Sequence, residues 1–398
     1  MKLLFTIPSM YGGGAERVLK YLIDNIEAKD KSLCTLEDGQ KYAISESIKY
    51  TKLTKIDGRS GTIKKIVYFA IQYFRFVIHV NKERPDLIIS FLERSNIITI
   101  LTPTKAKKII SIRSYISKKF NDTGIKGKLV KVLYKVLFKK VQYFVVPTIE
   151  IKNDMIKSFY IDDKNIIIIN NPLDLDAINQ LKNEELEIQY QKLFRENQIL
   201  INVGNLTYPK GQWHLLKIFK ELKKIKLEYK LVIIGEGDYL DFLLKIGLNL
   251  KLKVFNYKTD TFGYEYDVYF LGYQQNPFKF LYNSHMFIFS SLREGFPNAL
   301  IEAMACSLPV ISTSCQSGPK EILGETSQYG ILLPVFSGDK KLIELDEIED
   351  LWINEILSLK EDKLEKYRKL SMERVKDFNI DKIIYQWNYF LSLVYNDN

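Results

Sequence analysis

A chain of 398 residues that is 46% hydrophobic and 27% charged exceeds one ordinary domain and points to two, with a globular rather than a disordered or fibrous profile. Its three cysteines, Cys34, Cys306 and Cys315, exclude a disulfide framework and show no metal-ligand spacing, so they read as small buried residues in a reducing, cytoplasmic setting. The net charge of +10 is concentrated: residues 105–140 hold twelve Lys or Arg against the single acid Asp122, and a basic region of this kind seeks the phosphates of nucleic acid, anionic lipid or a lipid-linked diphosphate.

The opening residues carry an apolar run too short for a secretory signal and predict a first buried strand over 3–7. No run approaches about 18 apolar residues, so no spanning helix is predicted. Met10-Tyr-Gly-Gly-Gly-Ala-Glu-Arg17 follows, with glycines that let a backbone approach a ligand closely at a helix start. Further strands are predicted at 87–91, 109–112, 143–146 and 166–169. Between the strands at 109–112 and 143–146 lies an amphipathic stretch, 126–142. At about 100° per residue, Lys128, Lys131, Lys135 and Lys139 form one stripe, and Leu129, Val132, Leu133, Val136, Leu137 and Val141 a broad apolar face turned away from it. The apolar face is assigned mostly to the core and the lysine stripe to an anionic membrane surface, extended by Lys105, Lys107, Lys108, Lys118 and Lys119. Asn170-Asn-Pro-Leu-Asp174 breaks the pattern and sets a domain boundary at Pro172. A charged, poorly periodic segment, 180–197, leads to a second series of strands at 200–203, 231–234, 268–271, 286–290 and 310–312. Strands alternating with amphipathic stretches predict parallel-sheet α/β domains, whose ligands bind beyond the carboxyl ends of the strands.

The most informative segment is 290–305, Ser-Ser-Leu-Arg-Glu-Gly-Phe-Pro-Asn-Ala-Leu-Ile-Glu-Ala-Met-Ala. Glu294 and Glu302 stand eight positions apart across the start of a helix, with Pro297 where a helix tolerates proline. The N–H groups of Asn298, Ala299 and Leu300 are then expected to be free, an anion site suited to a diphosphate. One carboxylate can reach a sugar ring and the other a ribose diol, which fits a nucleotide sugar.

Together with the strands predicted on either side and Gly318-Pro-Lys-Glu-Ile322 beyond, this segment resembles the Glu-x7-Glu motif of the retaining family 4 glycosyltransferases, of the kind that build bacterial surface polysaccharides. The resemblance implies the α/β GT-B fold, two Rossmann-like parallel-sheet domains facing a central cleft. Residues 1–172 would be the acceptor-side domain, with 378–398 packing back on it, and 173–377 the nucleotide-sugar-binding domain. It also implies that Glu294 orients the donor sugar and Glu302 the ribose. The Gly-Gly-Ala-Glu-Arg run resembles the family's opening loop, which places Gly13 and Gly14 in the site. Residues 202–214 resemble its Val-Gly-Arg-Leu and Lys-Gly segment: Lys210 and Gly211 match, and Lys210 is implied to neutralise the donor diphosphate. The family Arg is here Asn205, so one cation is missing, and Arg113, in Ser111-Ile-Arg-Ser-Tyr115, is the candidate to replace it. Glu236 falls in a loop that resembles a turn beside the nucleotide, and residues 270–277 resemble the segment whose backbone, here near Gly272 and Tyr273, holds the base.

The three histidines, His79, His214 and His285, lack mutual metal spacing and read as structural or surface residues. Asp174-Leu-Asp176 reads as a helix cap rather than a metal-binding Asp-x-Asp. The reading is a retaining, metal-independent glycosyltransferase without a cofactor. It would move a hexose or N-acetylhexosamine from a nucleotide sugar, expected to be UDP-linked, to a polyprenyl-diphosphate-linked glycan. It would work as a peripheral protein on the cytoplasmic face of the membrane. A nucleotide-sugar epimerase of the same fold and a catalytically silent binding partner are the alternatives, the second suggested by Asn205. Nucleic acid ranks lowest as a partner, since the basic region contains no recognisable nucleic-acid module.

Overall fold

The computed structural model describes residues 1–55, 62–121, 124–340 and 344–397; Asp122 and the side chains of Lys119 and Lys126 lie outside the description. The chain forms two compact units, Met1–Pro172 with Ile380–Asn398, and Leu173–Asn379.

In the first unit the strands are β1 (Lys2–Ile7), β2 (Asp30–Thr35), β3 (Lys49–Lys52), β4 (Leu87–Phe91), β5 (Lys107–Ser111), β6 (Tyr143–Val146) and β7 (Ile166–Ile168). They pair in parallel in the order β3-β2-β1-β4-β5-β6-β7. Helices α1 (Gly14–Asn25), α2 (Thr62–Glu83), α3 (Glu93–Leu101), α4 (Ile116–Asn121), α5 (Gly124–Phe138) and α6 (Ile149–Phe159) connect them. Leu3, Phe5, Ile89 and Ile109 pack under α1, whereas Leu4, Ile88, Ile110 and Phe144 pack under α2, α3, α5 and α6. Burial on both faces explains why the central strands read as unbroken apolar runs. The sequence reading missed β2 and β3, which lie toward one edge, where β3 is only partly covered and spelled Lys-Tyr-Thr-Lys.

The second unit opens with α7 (Leu175–Leu181) and α8 (Ile188–Glu196). Asp174 caps α7 by accepting from the Ala177 N–H at 2.9 Å. The segment expected to be irregular therefore contains a helix, anchored by only two buried residues, Leu193 and Phe194, too few to show a period. Its sheet runs β10-β11-β9-β8-β12-β13-β14, all parallel. The strands are β8 (Gln198–Val203), β9 (Tyr229–Ile234), β10 (Val254–Asn256), β11 (Val268–Gly272), β12 (Met286–Phe289), β13 (Val310–Thr313) and β14 (Ile331–Leu333). The short edge strands β10 and β14 escaped the sequence reading. The helices among and after them are α9 (Gln212–Ile225), α10 (Leu240–Asn249), α11 (Phe278–Tyr282), α12 (Asn298–Ala305), α13 (Pro319–Leu323), α14 (Glu347–Ser358) and α15 (Glu361–Arg374). The final helix, α16 (Ile380–Asn396), returns to the first unit, where Ile383, Trp387, Phe390 and Leu391 join the core beneath α1. It begins two residues after the expected Phe378, which instead packs edge-on to Phe296 of the second unit at 5.5 Å.

One expectation fails outright. On α5 and the turn after it, Leu137 and Val141 enter the core with Tyr134 and Phe138, but Leu129, Val132, Leu133 and Val136 face solvent. Helix α5 shares its side of the sheet with α2, α3 and α6, so it meets the core along a narrow line. A broad apolar arc in sequence does not reveal which part of itself faces inward.

Candidate functional site

In the second sheet β8 and β12 are neighbours, and the strand order runs away from them in opposite directions. Such a switch point opens a crevice beyond the carboxyl ends of the strands. The loop after β8 carries Asn205 and Lys210; the loop after β12 carries Glu294. The chain turns at Gly211 with φ of 62°, and a Cβ there would stand 2.4 Å from the Ser290 carbonyl oxygen, so glycine is what lets the loops touch. Ser290 Oγ donates to the Lys210 carbonyl at 2.8 Å, and the Leu292 N–H donates to the Pro209 carbonyl at 2.8 Å. These contacts bring Lys210 Nζ to 2.6 Å from Glu294 Oε1, and Ser291 Oγ donates to the same oxygen at 2.7 Å. The two charged side chains are 24% and 12% exposed, a shielded pair that faces the switch point. The loop after β13 props Glu294 from the other side: the Glu294 N–H donates to the Gln316 carbonyl at 3.0 Å, and Ser317 Oγ to the Gly295 carbonyl at 2.7 Å. Sequence reasoning missed Ser291 and Ser317. A hydroxyl three residues before Glu294 was the available signal for the first; the second acts through space.

The remaining loops at this end are tied together. The Leu206 N–H donates to the Glu236 carbonyl at 2.8 Å and the Gly235 N–H to the Gly272 carbonyl at 2.8 Å. The Asn205 carbonyl accepts from Gln212 Nε2 at 3.1 Å, and Tyr257 OH donates to Glu236 Oε1 at 3.4 Å. Asn205, Glu236, Gly272 and the exposed Tyr273 thus lie on adjoining loops. Asn298, Ala299 and Leu300 form the first turn of α12, and Glu302 sits on its inner side, 4% exposed. The expectation of three free N–H groups does not hold. The Leu300 N–H donates to the Pro297 carbonyl at 3.1 Å, because the first turn tightens in the absence of a side-chain cap. The Ala299 N–H has no partner among the described residues.

Gly13, Gly14 and Arg113 belong to the first unit. Gly13 caps α1 and Gly14 opens it. A Cβ on Gly13 would meet Glu16 Oε2 at 2.5 Å, so the Glu16 carboxylate already sits on this helix start. Burial raises the Glu16 pKa above its ordinary value of 4.5, against hydrogen bonds from its own and the Gly13 N–H that lower it. The native state therefore holds the proton more tightly than the unfolded chain, and this group's contribution to stability falls as pH climbs from 4.5 through the native value. Between about pH 4 and pH 7, urea unfolding of the wild type should lose stability relative to Glu16→Gln; parallel pH profiles for the two proteins would refute the sign.

Arg113 follows β5 and lies over the Phe91 ring at 4.9 Å. Its Nη1 donates to Asn171 Oδ1 at 2.9 Å, while Nε and Nη2 are shut from solvent without an acceptor among the described residues. Burial lowers its pKa to about 9. A guanidinium held this way, with no carboxylate beside it among the described residues, is costly unless an anion is supplied.

Residues 183–367 match the model of the family described as glycosyl transferases group 1. An uncharacterized glycosyltransferase of Methanocaldococcus jannaschii is 35% identical over 343 residues, covering 79% of this chain and 80% of its own. A Campylobacter jejuni enzyme is 28% identical over 366 residues, 89% of this chain and 93% of its own. Its name is N-acetylgalactosamine-N,N'-diacetylbacillosaminyl-diphospho-undecaprenol 4-alpha-N-acetylgalactosaminyltransferase. Among solved structures, Anabaena HepE in complex with UDP aligns with a TM-score of 0.74 at 16% identity, over 98% of this chain and 100% of that one. The lipopolysaccharide outer core galactosyltransferase WaaB aligns at 0.68 and 17% identity, over 98% and 99%. Two seven-stranded parallel sheets of this topology, aligned along nearly the whole chain with HepE and WaaB, are the GT-B fold. On the family match and the Methanocaldococcus relative, the chain belongs to the group 1 glycosyl transferases.

Proposed function

We propose that this glycosyltransferase is a retaining, metal-independent enzyme of family 4 that moves a hexose or N-acetylhexosamine from a UDP-sugar to a polyprenyl-diphosphate-linked glycan at the cytoplasmic face of a membrane. The observation that carries the reading is the Lys210–Glu294 pair at the switch point of the second sheet. As the bond from the sugar C1 to the diphosphate breaks, negative charge grows on the leaving oxygen, and Lys210 is placed to meet it. The Ala299 N–H adds a backbone donor at the start of α12. Glu294, released from the ammonium, turns to the sugar hydroxyls, while Glu302 accepts from the ribose diol. The backbone near Gly272 and Tyr273 holds the base, and Asn205 contributes a hydrogen bond where a cation is usual. In the first unit, Gly13 and Gly14 offer a close-approach backbone, and Arg113 is assigned to a substrate phosphate. The acceptor oxygen bonds to C1 on the face the diphosphate leaves, and its proton passes to a diphosphate oxygen. The Campylobacter name supports a diphospho-undecaprenol acceptor, and HepE with UDP supports the nucleotide.

Incubation with UDP-sugars tests this directly. UDP should be released only when a polyprenyl-diphosphate glycan is supplied, the new linkage should keep the donor's anomeric configuration, and a chelator should leave the rate unchanged. An epimerised sugar without acceptor would favour the epimerase reading, and donor binding without turnover the silent one. Glu302→Ala should leave the protein folded and weaken donor binding about tenfold or more, since a charged acceptor paired with hydroxyls contributes roughly 1.5–3 kcal/mol. Unchanged affinity in a calorimetric titration would remove Glu302 from the ribose.

A further inference from the structure

Two helices of the first unit, α5 and α2, are apolar on two opposite sides. Helix α5 buries Tyr134, Leu137 and Phe138 in the core, yet Leu129, Val132, Leu133 and Val136, on its far side, are 51–68% exposed. Helix α2 buries Phe76 and Val80, while Phe74 and Ile78 opposite them are 63% and 67% exposed. Both helices cover the same face of the sheet, the one formed by Leu4, Ile88, Ile110 and Phe144, and α3 lies between them. A helix apolar all round is one that both of its surroundings exclude from water.

Charge identifies the second surrounding. Lys128, Lys139 and Lys140 are exposed around the outer face of α5 and form no ion pair among the described residues, and no acid occurs from 124 to 140. Lys135 leans back over the Tyr160 ring at 4.3 Å and Lys131 toward Phe159, so the stripe expected to face lipid is only half available. A second copy of this chain seated here about a two-fold axis would set lysines against lysines. An anionic bilayer accepts both features, acyl chains taking Leu, Val and Phe, and phosphates taking the ammonium groups.

We infer that the outer faces of α5 and α2 form one bilayer-docking surface, with Leu129, Val132, Leu133 and Val136 entering the acyl boundary and the lysines at the headgroups. The choice of a bilayer rests on the lipid-linked acceptor proposed above. Docking is then mainly apolar, and lysines alone do not account for it.

The test uses the full chain with vesicles of phosphatidylcholine, alone or mixed with an equal part of phosphatidylglycerol. Changing Leu129, Val132, Leu133 and Val136 together to Ser should weaken binding to the mixed vesicles at least about tenfold, and Phe74→Ser with Ile78→Ser should weaken it further. Transfer to a water-soluble acceptor should be unchanged in both variants, which also shows that they fold. Leu133→Trp in an otherwise wild-type chain should be quenched by brominated acyl chains, against a background of Trp213, Trp352 and Trp387, all buried. Equal binding of wild type and the four-Ser variant, or no quenching, overturns the inference. So does a wild-type dimer that the four-Ser variant turns into monomer, which would make this face an interface between copies. If the wild type transfers no sugar to any acceptor, the transferase proposal fails, while the vesicle results still decide the docking surface.

Discussion

Replacing Lys210 by Ala should lower turnover at saturating donor by on the order of 10²–10³-fold, with a smaller effect on donor affinity. In the proposed transfer the sugar leaves a diphosphate whose charge peaks in the transition state, and a cation placed against it acts mostly there. Asn205 makes the dependence on Lys210 heavier, because the neighbouring position carries no charge. The ammonium is held 2.6 Å from Glu294 before any substrate arrives, so its position is set in advance. Glu294→Gln should impair the same step, and the double variant should lose less than the product of the two single effects, since each partner acts through the other. Near-normal turnover of Lys210→Ala would end its proposed leaving-group role, and strictly multiplicative losses would end the coupling.

Replacing Glu349 by Ala should cost the second unit roughly 3–5 kcal/mol of stability. Glu349 is fully buried, its Oε1 2.6 Å from Lys217 Nζ and 2.5 Å from His214 Nδ1. Its Oε2 accepts from the Asp346 N–H at 3.0 Å, while the Glu349 N–H donates to Asp346 Oδ1 at 2.9 Å, closing a reciprocal cap on α14. Removing the carboxylate leaves the Lys217 ammonium, 3% exposed, with the Glu344 carbonyl as its remaining acceptor among the described residues, and opens the cap. Glu349→Gln retains an acceptor for the cap and should cost less. Urea unfolding followed by fluorescence would show the difference, and a loss below about 1 kcal/mol for the Ala variant would mean that the pair behaves like a surface one. In sequence this glutamate is one member of an acidic run, 344–350, indistinguishable from its solvated neighbours.

That case marks where local pattern stops being informative. The amino-acid sequence by itself determined the alternation of strands and helices, because a parallel sheet covered on both faces demands apolar runs such as Leu-Ile-Ile-Ser-Phe of β4. It also determined that Glu294 stands in a loop and Glu302 on the helix that follows, since eight residues across Gly-Phe-Pro-Asn have few ways to fold. Both facts depend on neighbours along the chain. Lys210 and Glu294 lie 84 positions apart, and only the order of β8 and β12 in the sheet and the close approach at Gly211 put them within a hydrogen bond. The tightened first turn that pairs the Leu300 N–H, the burial of Glu349, and the outward side of α5 were likewise decided by tertiary structure. The physical reason is common to the last two: whether a side chain meets water depends on which elements have already covered the sheet beneath it, and no spacing along one helix records that.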